Sequence, residues 1–388
     1  MCDIEQLNRW LISEGRILGD EIKIVRHYCE SLKNLGVPLA RARIAQSYLN
    51  PLLSAWGIIW TPTETRRYTV NANVLATGAW MGSPFEYVVT TRQPLRKRLT
   101  RLNLSQEHPL YSELFAAGAT DFLAVPLEYG DGSVQGSSFT TNDPDGFTEE
   151  NTLAILNSRN ALAAALEPIA MRQSQKSLLQ TYLGVGPAKE IGQGHINRGE
   201  HKTVSAAILF VDLRGFTAKS ETWHEADLLQ MMSDYFEMVV TPIQNYGGDV
   251  LKFMGDGILA IFQSKGAPNQ ACDAALEATR QALNHLQSYN ADASAQGKEQ
   301  IDFVTGIDFG EVTFGNIGSP DRLDFTVVGP TVNIASRVQG LCKDLGAAAL
   351  VTAGVARNLS DPLPSVGFHL IRGVPHRIEV FAIAKPNA

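Results

Sequence analysis

Residues 250–262, VLKFMGDGILAIF, limit the possible folds more than any other stretch of this chain. Two apolar runs, rich in β-branched and aromatic residues, flank Gly255-Asp256-Gly257. That is the pattern of a tight hairpin whose strands enter a core. Asp-Gly tolerates the positive φ of such a turn, so turn chemistry alone accounts for Asp256. Lys252 needs another explanation, because a cation in mid-strand on its way to a core requires a partner or a task.

A chain of 388 residues can make two or three domains, each with its own core. The formal net charge of -7 argues against a general polyanion-binding surface, so nucleic acid is not an expected partner. A phosphate-bearing ligand would have to be held locally, by metals, backbone amides or a few placed cations. No stretch approaches the roughly 18 uncharged apolar residues of a membrane span. The opening MCDIEQLNRW lacks the basic-then-apolar order of a signal peptide. Cys2, Cys29, Cys272 and Cys342 are scattered and form no CxxC pair, which suits free thiols in a reducing, cytoplasmic setting.

Residues 4–33 and 39–56 carry apolar residues at helical spacing, and GIIWTP (57–62) and RRYTVN (66–71) read as strands. Two further strands, DFLAVPLEY (121–129) and VQGSSFTT (134–141), are separated by Gly130, Asp131 and Gly132. From about residue 148 the period becomes helical again, with Pro168 expected to kink or interrupt the helix. Ile155, Leu162 and Ile169 recur every seven residues, which fits either a dimerising coiled coil or one buried helix face. The Gly-rich, polar stretch 183–202 reads as a linker. RQPLRKRLTR (92–101) concentrates five cations, read as a solvated basic face. The expected division is an N-terminal domain at 1–171, a connecting segment at 172–202 and a second domain at 203–388.

The second domain carries the chemistry. VSAAILFVDLRGFT (204–217) reads as a buried strand ending at Asp212, followed by a helix start at Gly215, Phe216 and Thr217. Free N–H groups at that helix start suit phosphate oxygens. Asp212 and Asp256, on neighbouring strand ends of one sheet, would suit a pair of divalent ions that need hard oxygen ligands, Mg²⁺ or Mn²⁺. In RLDFTVVGPTVNIASRVQG (322–340) a strand gives way to a helix bearing Asn333 and Arg337. Their i, i+4 spacing puts both on one face, where an amide can orient a sugar and a guanidinium can meet phosphate charge.

FVDLRGFT, LKFMGDG and TVVGPTVNIASR, in this order and spacing, resemble the catalytic domain of class III nucleotidyl cyclases over roughly residues 203–385. The resemblance implies a ferredoxin-like α/β (α+β) domain. It makes Asp212 and Asp256 the ligands of two metal ions per site, and Asn333 and Arg337 the catalytic pair on ribose and α-phosphate. Lys252 and Thr326 become the residues that read the purine. A Lys–Thr pair implies ATP, since an ammonium donates to N1 of adenine and a hydroxyl accepts from its amino group. Relatives with this pair include bicarbonate-responsive cyclases, so a bicarbonate effect is an expectation. The family further implies a head-to-tail homodimer whose sites combine metal ligands of one chain with the base reader, Asn and Arg of the other. Two departures stand out: Pro330 where many relatives have Asp, and Arg372 where a phosphate-binding Lys is common.

Other readings fit less well. The Gly-Gly-Asp of YGGDVL (246–251) enters a strand instead of forming the turn of a diguanylate cyclase. A guanylyl cyclase would need other residues at 252 and 326, and a catalytically dead module would normally lose a metal Asp or the helix Arg. The strands and the DPDGFTEEN loop of residues 40–171 resemble a GAF domain, which implies a small-molecule or ion signal. That stretch lacks both the cysteine of chromophore-binding relatives and the motif of cyclic-nucleotide-binding ones.

Overall fold

The computed structural model describes residues 3–47, 53–71 and 77–383. The chain forms two compact units, Met1–Thr181 and Tyr182–Ala388, which meet inside the expected connecting segment. Cys2 lies outside the described residues; Cys29, Cys272 and Cys342 are buried free thiols.

The first unit opens with α1 (Ile4–Trp10), capped by Asp3, and a π-turn at Leu11–Gly15 leading into α2 (Arg16–Leu18). Gly19, at φ 62°, ends this run, and Asp20 caps α3 (Glu21–Asn34). Residues 39–56, expected to be helical, instead hold β1 (Arg41–Ser47) and the start of β2 (Leu53–Trp60). Buried Ala42, Ile44 and Gln46 alternate there with half-exposed Arg41, Arg43 and Ala45. Pairing on both edges of β1 buries the alternate set, and this tertiary pairing overrides a local pattern that also fits a helix.

After β3 (Thr65–Asn71) come α4 (Pro84–Thr91), β4 (Leu95–Arg98), α5 (Pro109–Ala116), β5 (Asp121–Glu128) and β6 (Val134–Thr141). The six antiparallel strands lie in the order β3-β2-β1-β6-β5-β4. The basic run 92–101 is only partly a solvated face. Arg96 and Arg98, on edge strand β4, lie 2.6 and 3.6 Å from the carboxylate of Asp121, which is wholly buried. Those two cations neutralise a charge that could not otherwise be held inside.

The long helix α6 spans Glu149–Leu183 and continues through Pro168 without a break. Ile155, Leu162 and Ile169 are at most 4% exposed and pack in one core with Tyr28, Trp56 and Leu123. They form a buried face, not a dimer seam. That packing outweighs the backbone bond Pro168 forfeits.

In the second unit the expected linker contains a helix, α7 (Val185–Gly192), before β7 (His201–Leu213) begins. Next come α8 (Phe216–Thr222), α9 (Glu225–Asn245), β8 (Asp249–Met254), β9 (Gly257–Gln263) and α10 (Pro268–Ala295). The chain continues through β10 (Phe303–Gly318), β11 (Leu323–Val328), α11 (Pro330–Asp344), β12 (Ala349–Thr352), α12 (Ala353–Ala356), β13 (Ser365–Leu370) and β14 (Arg377–Ile383). The sheet order is β13-β14-β12-β10-β7-β9-β8, with β11 folded back onto β10. β10, β7, β9 and β8 reproduce the 4-1-3-2 order of a ferredoxin-like βαββαβ unit. Helices α9 and α10 cover one face around Tyr235, Leu276 and Phe303. On the other face α11 presses so close to β10 that a Cβ at Gly306 would overlap the backbone of Ala335 and Gln339.

Candidate active site

β7 and β9 are neighbours at the centre of the sheet, with Val211 opposite Ile258. Asp212 follows Val211, and Asp256 sits in the turn just before β9, so register alone puts the two carboxylates at one end of the sheet. In the β8–β9 hairpin Met254 pairs with Gly257, which leaves Gly255-Asp256 as the loop. Only Gly255 takes a positive φ, 69°, so the turn depends on that glycine and Asp256 stays in an ordinary conformation. Beneath the loop, the fully buried Tyr235 on α9 donates its hydroxyl to the Asp256 carbonyl at 3.0 Å. Burial raises the pKa of Asp212, and the nearby charge of Asp256 raises it further. The two carboxylates repel each other, and a divalent ion held between them would relieve that repulsion. Their hard oxygen atoms fit Mg²⁺ or Mn²⁺.

Lys252 reaches the surface through an irregularity in its strand. The pairing of β8 with β9 shifts between Val250 and Lys252, so Leu251 is an extra residue. Val250 is buried in the core under α9 and α10 and Leu251 in the core on the opposite face, while Lys252 is half-buried opposite Leu259. Its ammonium forms an ion pair with Asp324 of β11. Along β11, Phe325 and Val327 are buried while Asp324, Thr326 and Val328 take the other face. Thr326, half-buried, therefore shares the face that holds the lysine's partner.

Gly329 breaks the chain between β11 and α11 at φ 152°, and Thr331 fixes the first turn by donating to the Glu311 carbonyl at 3.1 Å. Asn333 is exposed and Arg337 half-buried on the following turns. The Arg337 guanidinium lies against Gly373, 3.1 Å from where a Cβ would stand, so it adjoins the turn that carries exposed Arg372. Gly215, in the left-handed region at φ 72°, precedes α8, and exposed Thr217 and half-buried Phe216 form its first turn. Two groups thus form within one chain: Asp212 with Asp256, and Lys252 with the β11 face that bears Thr326. Arg337 adjoins the Arg372 turn separately. Among the described residues no hydrogen bond or ion pair joins the two groups.

Sequence reasoning overlooked several supports of this site. Tyr235 looks like any apolar-face residue of α9. Arg214 donates to the carbonyls of Cys342 and Ala347 at 3.3 and 3.0 Å, tying the loop after Asp212 to the end of α11. Asp249, first residue of β8, accepts from the backbone N–H groups of Val185 and Gly186 and so caps α7. Its Gly-Gly-Asp context suggested only a strand entry.

Residues 199–370 match the family model of the adenylate and guanylate cyclase catalytic domain. An adenylate cyclase of Anabaena cylindrica is 34% identical over 219 residues, which is 54% of this chain and 42% of that protein. Adenylate cyclase 1 of Rhizobium meliloti is 27% identical over 173 residues, 45% of this chain and 26% of that one. The chain thus spans less than half the length of either relative. A bacterial light-regulated adenylyl cyclase of known structure shares the fold, with a TM-score of 0.50, 22% identity, and coverage of 68% of this chain and 84% of that one. Residues 199–370 therefore belong to the adenylate and guanylate cyclase catalytic domain family, as their resemblance to class III nucleotidyl cyclases implied.

Proposed function

We propose that the chain is an adenylyl cyclase that converts ATP to 3′,5′-cyclic AMP and pyrophosphate. The carboxylate pair Asp212–Asp256, at the end of two central strands beside the start of α8, is the observation that carries this reading. In the reaction the ribose 3′-hydroxyl gives up its proton to solvent as its oxygen bonds to the α-phosphorus, the bond to the β-phosphate bridge breaks, and pyrophosphate leaves. Asn333 orients the ribose, and Arg337 faces the charge that grows on the α-phosphate. The amides of Gly215, Phe216 and Thr217, together with Arg372, take the remaining phosphate oxygens. Two divalent ions held by Asp212 and Asp256 would supply charge stabilisation at the attacking and leaving oxygens. Lys252 and Thr326 read the adenine edge by donation to N1 and acceptance from the amino group.

Two copies assemble head to tail, and each site combines the aspartates of one chain with Lys252, Thr326, Asn333 and Arg337 of the other. The first unit is a GAF-like sensor domain for a small molecule or ion, and the protein works in the cytoplasm. Among the described residues no helix is long and apolar enough to cross a membrane. Purified protein given ATP with Mg²⁺ or Mn²⁺ should release cyclic AMP and pyrophosphate in equal amounts. GTP should be the poorer substrate, and Lys252→Glu with Thr326→Cys should erode that preference. Equal use of the two nucleotides by the unaltered protein would refute the ATP assignment.

A further inference from the structure

We infer that Asp324 is a positioning residue for substrate selection: it holds the Lys252 ammonium where an adenine N1 can meet it. The inference rests on the adenine-reading role proposed above and adds a residue to it. Three observations support it. The β8 bulge at Leu251 brings Lys252 opposite Leu259, which packs with Phe325 and Val327 of β11, so the lysine stands on the β11 side of the sheet. Asp324 meets it there in a direct ion pair, although the two side chains come from strands 72 residues apart in sequence. Asp324 and Thr326 lie two residues apart on one face of β11, so the ammonium is held on the same strand face as the hydroxyl.

The chemistry fits this arrangement. A lysine ammonium has three donors on a flexible stem, and one bond to a carboxylate leaves two for a ligand. Held in place, it loses less side-chain freedom when the nucleotide arrives, which improves binding without new contacts. The pair is partly exposed, with the lysine and aspartate side chains 34% and 47% accessible, so little fold stability rides on it. Its value lies in orientation. The ion pair also occupies a carboxylate that could otherwise accept from the N1–H and amino group of guanine, so the contact works against the wrong base as well.

The test is steady-state kinetics with ATP, with 1-deaza-ATP (carbon in place of N1) and with GTP. Asp324→Asn should raise KM for ATP about tenfold with kcat within about twofold, the pattern of lost ground-state binding. KM for 1-deaza-ATP should stay unchanged, because the ammonium has no acceptor there to reach; a merely structural defect would raise both. Asp324→Glu should recover most of the ATP affinity, and Asp324→Asn added to Lys252→Ala should cost nothing further. Lys252→Ala alone should raise KM for ATP and, by freeing the carboxylate, improve the use of GTP. If Lys252→Ala raises KM for ATP while Asp324→Asn does not, the positioning role is overturned and the base-reading role stands. If neither variant changes KM for ATP, both are overturned.

Discussion

Two carboxylates of the second unit's sheet, half-buried Asp212 and buried Asp308, take up protons more readily than an ordinary aspartate. For Asp212, burial and the charge of Asp256 both raise the pKa, so in metal-free protein its ionised form works against the fold. Asp212→Asn should therefore melt higher than the unaltered protein when both are free of divalent ions at neutral pH. Added Mg²⁺ or Mn²⁺ should raise the melting temperature of the unaltered protein and leave that of the variant nearly still. Calorimetry with and without metal checks both halves.

Asp308 on β10 has a different origin. It is 7% exposed, its carboxylate takes a hydrogen bond from Thr352 at 2.5 Å, and burial pushes its pKa up to about 6 from 3.8. Between about pH 4 and 6 the folded chain keeps a proton that the unfolded chain releases, so rising pH costs stability and the full cost is present above 6. A rise of that size corresponds to a penalty on the order of 3 kcal/mol. Asp308→Asn keeps an acceptor for Thr352 and removes the charge. It should flatten the fall in unfolding free energy between about pH 4 and 6, as measured by urea titration at each pH. A fall as steep as in the unaltered protein would show that Asp308 is not its source.

At the scale of elements, the catalytic turn depends on its underlay. Tyr235 on α9 holds the Asp256 carbonyl from below, so Tyr235→Phe strips a buried acceptor of its donor while the ring still fills its space. A loss of about 1–3 kcal/mol in stability is expected, together with lower kcat, because the loop proposed to hold metal is no longer supported. Unchanged kcat in a folded variant would place the hydroxyl outside catalysis. The β8–β9 hairpin itself was plain in VLKFMGDGILAIF, because a two-residue turn between apolar runs is a local signal. So were β7 into Asp212 and α11 with Asn333 and Arg337, where strand-to-helix switches are written within about fifteen residues. Tyr235, Arg214, Asp249 and Asp324 were not legible, since each acts on a partner distant in sequence. Residues 39–56 were misread for a related reason: pairing with β2 and β6 decides the state of β1, and neither partner is visible in a local window. The seven-residue repeat of α6 likewise needed its surroundings, the core of the first unit, to be told from a dimer seam.

At the scale of the whole molecule, the proposal divides each active site between two chains. Asp212→Ala removes a proposed metal ligand, and Arg337→Ala removes the cation proposed to face the α-phosphate. Each variant alone should be nearly inactive, because every site in either homodimer lacks one component. Mixed and given time to exchange subunits, the two should form heterodimers in which one site has both residues intact and its twin has neither. Cyclic AMP production should then return, to about half the rate of the unaltered dimer per heterodimer when the sites act independently. The decisive measurement is cyclic AMP formation from ATP by each variant alone and by the mixture, with heterodimer content confirmed by mass spectrometry. Recovery on mixing is the expected result; continued inactivity in a sample rich in heterodimers would contradict a site shared between two cyclase chains.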